Sequence, residues 1–93
     1  TMCTSIVEIV DAEGAAKGKD GWFAISRTVV SYDHPHYAFL EEAIAIDFVD
    51  HKQGPGARAA VELTLASAKA LSAALDRAIA AAEVEESGRA RAA

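Results

Sequence analysis

One cysteine, an aspartate and two closely spaced histidines are the side chains of this sequence best suited to hold a metal ion or activate a nucleophile. His34 and His36 stand in Tyr32-Asp33-His34-Pro35-His36-Tyr37, and an H-x-H spacing turns both imidazoles to one side of an extended segment. Thiolate and imidazole together suit borderline transition ions, so Cys3, His34, His36 and Asp33 are the expected ligand set for zinc, iron or copper. The same groups support a second chemistry, in which Cys3 attacks and a histidine is its base. A plain reading stands beside both: Cys3 as a small apolar residue near a terminus, Asp33 capping the donors of a turn, and the histidines at the surface. H-x-H recurs by chance and no C-x-x-C accompanies it.

Whether those groups meet depends on the strands that carry them. Residues 4–11 are β-branched and precede a turn-rich stretch, residues 12–21, containing Gly14, Gly18 and Asp20-Gly21, so the pattern predicts strand then loop. A second strand is expected over residues 22–32, stopped by Asp33-His34-Pro35 because proline removes a donor and restricts its predecessor. Residues 43–49 alternate Ile44, Ile46 and Phe48 with smaller or polar side chains, the period of a half-buried strand. After Gly54-Pro55-Gly56, residues 57–65 alternate again through Val61, Leu63 and Leu65. From Ser67, read as an N-cap, the spacing of Leu71, Leu75, Ile79 and Ala82 predicts a helix ending near Gly88.

The expected fold is α+β: a four-stranded antiparallel meander with one C-terminal helix packed on one face. A symmetric connection after the second strand sets Val30 against Ile44 and Thr28 against Ile46, with Val61 and Leu63 completing the face beneath the helix. The opposite face would show Phe23, Ile25, Val29 and Val49, broken by Arg27 opposite Asp47, and is a candidate homodimer interface. Cys3 is expected beside Tyr32 and Asp33, with Glu41, Glu42 and the positive helix end nearby to favour its thiolate. His51 falls past the opposite end of the third strand and would join that group only across a dimer.

At 93 residues the chain is expected to be one domain over residues 1–88, with residues 89–93 a short disordered tail holding Arg89 and Arg91. A chain this short is marginal alone, so a homodimer is expected. Aromatics make up 6% and alanine supplies much of the 52% apolar content, which predicts a thin core. No apolar run nears the roughly 20 residues that span a bilayer, and no signal-peptide pattern opens the chain, so the expected place is the cytoplasm, away from membranes. The lone cysteine fits a reducing compartment. Nine basic against 14 acidic side chains, net −5, oppose nucleic-acid binding. Walker, Rossmann, G-x-S-x-G and H-E-x-x-H signatures are absent, leaving nucleotide binding and serine hydrolysis unsupported.

Met2-Cys3-Thr4-Ser5-Ile6-Val7-Glu8, Gly21-Trp22-Phe23, Tyr32-Asp33-His34-Pro35, Ile46-Asp47-Phe48-Val49 and Gly54-Pro55-Gly56-Ala57-Arg58 resemble a small bacterial family of unknown function across nearly the whole chain. The resemblance implies a single intact domain and brings no activity. With Met2 read as the natural start, removal of that methionine would leave Cys3 with a free α-amine and make it a bidentate ligand. Three functional expectations result. The first is a small cytoplasmic homodimeric binding or accessory protein with a transition-metal site at Cys3, His34, His36 and Asp33. The others are a small enzyme using Cys3 and a histidine, and a purely structural interaction module.

Overall fold

The computed structural model describes residues 6–33, 43–52 and 57–92, which form an α+β fold: one open sheet of four antiparallel strands followed by a single helix. β1 (Ile6–Gly18), β2 (Gly21–Asp33), β3 (Ala43–Val49) and β4 (Arg58–Leu63) lie in the order β1-β2-β3-β4. This is the expected meander, and β3 has the bounds that its alternation gave.

β1 departs from expectation. Residues 12–18, read as turn, continue the strand and pair with β2 from Gly14 opposite Ile25 to Gly18 opposite Gly21. Ladder bonds to the β-branched and aromatic residues of β2 override the weak strand preference of Ala-Glu-Gly-Ala-Ala-Lys-Gly. The register slips between Asp11 and Gly14, where β1 takes three steps against two of β2. That extra residue is a bulge, which bends and twists the hairpin arm. The arm tip consequently reaches the start of β4: a Cβ placed on Gly18 would lie 3.2 Å from Phe23 Cε1 and 3.4 Å from the Arg58 carbonyl oxygen.

The turn itself is Lys19-Asp20, neither with a positive φ, followed by Gly21 at φ 114°. A turn of that hand closes a right-twisted hairpin only when the next residue is left-handed, which glycine reaches without a Cβ clash. Gly21→Ala is therefore expected to lower stability by about 1–2 kcal/mol, read as a fall in the urea midpoint with an unchanged slope.

β2 and β3 pair two residues away from the expected register. Val30 opposes Ile46, Thr28 opposes Phe48 and Tyr32 opposes Ile44. The ladder runs out to Asp33 opposite Ala43, so the connection is centred on residue 38 rather than 37. A shift of two preserves which side chains share a face. One face carries Val30, Tyr32, Ile44, Ile46, Phe48 and Leu63 and is called the Phe48 face below; the other carries Arg27, Val29, Ser31, Asp47, Val49 and Arg58. Arg27 lies opposite Val49 rather than Asp47.

α1 spans Leu65–Ala92. Its N-cap is Thr64 and not Ser67: Thr64 Oγ1 accepts the Ser67 amide at 3.0 Å, and the Thr64 carbonyl accepts the first helical bond from Ala68 at 2.9 Å. The helix passes through Gly88, which keeps a negative φ and so makes no left-handed stop. The expected packing of this helix over a sheet face is not made. α1 touches β3 and β4, and every helix side chain described except that of Ala68 is exposed. A single residue, Thr64, joins β4 to α1, and both its carbonyl and its hydroxyl are committed to the helix start. Connections that return a helix over its own sheet use roughly 2–6 residues, so the chain has no loop with which to reverse.

The consequence is that the described residues enclose almost no interior. Ala43, 1% exposed, is the only buried apolar side chain among the described residues. The principal extents are 57 × 31 × 20 Å and the radius of gyration 16.1 Å, against about 12 Å for a compact chain of this length. Among the described residues, no helix is long and apolar enough to cross a membrane.

Candidate functional site

At one end of the sheet the ladder closes with Ile6 opposite Tyr32, Tyr32 opposite Ile44, and Ile44 opposite Leu63. Asp33 follows Tyr32 and pairs with Ala43, the most buried position described. Asp33 is the one member of the expected ligand set within the described residues; Cys3, His34 and His36 lie outside them, as do Glu41 and Glu42. Opposite Tyr32, the expected position of Cys3, stands Ile6, three positions later in the chain. Among the described residues no three His, Cys, Asp or Glu side chains converge as a metal group.

The helix end sits differently from expectation. Thr64 follows Leu63 at this same end, and no acidic residue occupies the first helical turn, so its positive end has no acidic side chain of that turn to offset it. β4 and β1 are the two outer strands, however, three strand spacings or about 14 Å apart. A helix dipole acts over its first turn only. It therefore lends nothing to a group on the β1 side.

The other sheet end holds His51, as the separation of the histidines implied. Its Nδ1 lies 2.6 Å from Ser26 Oγ, and its backbone N–H donates to the same oxygen at 3.1 Å. The Ser26 hydroxyl thus joins both the backbone and the ring of His51. A serine bonded to an imidazole is the pairing that activates a nucleophile. Here both partners are at the surface, and the backbone bond makes the serine an anchor for the β3–β4 connection. That connection is further closed by Asp50, whose N–H donates to the Ala57 carbonyl at 3.1 Å and whose Oδ1 accepts from Lys52 N at 3.0 Å.

Asp47 and Arg58, which sequence reading did not join, form an ion pair across β3 and β4. Arg58 Nη2 and Nε reach the same Asp47 Oδ1 at 2.9 and 3.0 Å. With the two side chains 52% and 26% exposed, solvent screening limits the pair to below about 1 kcal/mol. Its role is to fix register on the polar face. Arg27, on that same face, buries its Nε without a hydrogen-bond partner. At the hairpin tip, residues 18–23 and Ala57 line an open recess of about 400 Å³, where Trp22 is exposed at the rim. Only Lys19 and Asp20 among its lining side chains carry charge.

The most conspicuous surface is apolar. Ile6 and Val10 at the β1 edge, Val61 on β4, and Leu71, Leu75 and Ile79 along α1 are all exposed. The sequence signalled Val61, Leu71, Leu75 and Ile79 as core positions by period, and the structure leaves them uncovered. No curated protein and no solved structure matches the chain. One family model does match, over residues 2–88, and its span agrees with the near-complete coverage that the sequence resemblance implied: the chain belongs to the family of unknown function DUF6295.

Proposed function

We propose that the protein is a homodimeric binding or accessory protein whose ligand is a transition-metal ion. The observation that carries the dimer is the surface area. The chain exposes 7368 Å², whereas a compact monomer of 9.7 kDa exposes about 5,100 Å². The excess, about 2,200 Å² per chain, is the area an obligate homodimer removes from water. The one buried apolar side chain among the described residues, Ala43, does not offset the conformational entropy of ordering a sheet and a long helix, which favours folding coupled to assembly.

The metal reading is supported by chain reach. β1 enters and β2 leaves the sheet at the same end, side by side, with Ile6 opposite Tyr32 about 5 Å away. Three residues separate Ile6 from Cys3, and one and three separate Asp33 from His34 and His36. Each such segment spans at most about 11 Å, so chain length permits the thiol and the imidazoles to meet the Asp33 carboxylate at one ion. Sedimentation of the untagged protein should give a single species of twice the chain mass, and elemental analysis should find about one zinc, iron or copper ion per chain. A monomer overturns the first statement. Metal-free protein whose melting temperature ignores all three ions overturns the second.

A further inference from the structure

We infer that the dimer is formed by reciprocal exchange of the helix, α1 of each subunit lying along the Phe48 face of its partner's sheet. This rests on the dimer proposed above and specifies its architecture. Three observations carry it. First, Thr64 is the whole connection between β4 and α1 and is consumed as the helix cap, so α1 is directed away from its own sheet. Short connections of this kind exchange elements between copies.

Second, the surfaces match in kind. The Phe48 face is apolar across β2, β3 and β4 but for Thr28 and the Tyr32 hydroxyl, while the opposite face is broken by Arg27, Ser31, Asp47, Arg58 and Glu62. α1 offers Ala68, Leu71, Leu75, Ile79 and Ala82 at three- and four-residue spacing, the stripe of a helix that lies on a sheet. They also match in length: the stripe from Ala68 to Ala82 extends about 21 Å, and the 7 residues of β3 about 20 Å. Third, one two-fold contact of helix to sheet and sheet to helix covers both apolar surfaces of both chains. Pairing helix with helix alone leaves two sheets bare, and pairing sheets alone leaves two helices bare. The excess area per chain is of the size this exchange would bury.

The test uses the full chain with Leu75 replaced by the photoreactive p-benzoylphenylalanine, irradiated after sedimentation has established the assembly state. The expected product runs at twice the chain mass, with the crosslink mapping to β2 or β3 residues of the Phe48 face. A dimer whose crosslinks join α1 to α1, or stay within one chain, overturns the exchange and leaves the dimer standing. A monomer overturns both. Irradiating a mixture of light and heavy-isotope chains, co-refolded, distinguishes the cases at the peptide level: exchange yields light–heavy hybrid crosslinks to sheet peptides, and a helix folded on its own sheet yields none.

Discussion

Leu75→Ala is expected to raise the dimer dissociation constant roughly a thousandfold. Leu75 is 57% exposed in the isolated chain, in the middle of the α1 stripe. Burying a leucine against an apolar face contributes about 2–3 kcal/mol, and a two-fold interface contains the residue twice. The sum, about 4–6 kcal/mol, converts to three or four orders of magnitude in affinity. If Leu75 stayed in water in every state of the protein, the same change would fall within about 0.5 kcal/mol and favour the helix slightly, since alanine is the better helix former. Sedimentation across a dilution series separates these outcomes. The truncated dimer should also melt at a temperature that rises with protein concentration, because its folding is coupled to association.

Cys3→Ser is expected to abolish most of the metal-dependent stabilisation. A metal present at 100 times its dissociation constant stabilises a folded protein by about 2.7 kcal/mol, or about 14 °C in a domain this small. Removing a direct ligand weakens binding by at least the roughly 100-fold that loss of an outer-shell partner can cost, which leaves at most about 2 °C of the shift at the same metal concentration. His34→Ala and His36→Ala should reproduce the loss, while His51→Ala, at the far end of the sheet, should retain the full shift. Equal shifts in all four variants would remove Cys3, His34 and His36 from any metal site. Calorimetric scans with and without added zinc read the difference directly.

The strands whose side chains alternate were legible from the sequence. β3 announces itself through Ile44, Ile46 and Phe48, and its bounds follow. The second half of β1 was not legible, because alanine and glycine carry little strand preference and the bulge between Asp11 and Gly14 breaks the two-residue period that marks a strand. Pairing with β2 makes residues 14–18 a strand, and pairing is a property of two segments at once. The Asp47–Arg58 contact was hidden for a related reason: it depends on the relative placement of β3 and β4, and the composition of each strand is silent on that. Thr64 and Ser67 are both plausible caps by type; only the hydrogen bond from Ser67 N to Thr64 Oγ1 distinguishes them. That difference of three residues matters, since a cap at Ser67 would have left a flexible joint after β4 and a cap at Thr64 leaves none. Of the site, the sequence conveyed that His51 stands at the sheet end away from Asp33, because a strand of 7 residues holds its two ends about 20 Å apart whatever else the chain does.

β1 is an outermost strand of the sheet, and its first five residues, Ile-Val-Glu-Ile-Val, are exposed. Outer strands present unused backbone donors and acceptors along one side, and β-branched segments of low charge are those that stack into fibrils. Glu8 is the single charge in that run. Stacking the run in parallel alignment would bring one Glu8 carboxylate against the next at every step, so a repulsion that costs a lone sheet nothing would accumulate along a growing fibre. Glu8 would thus oppose in-register stacking of this edge in the manner of a gatekeeper residue.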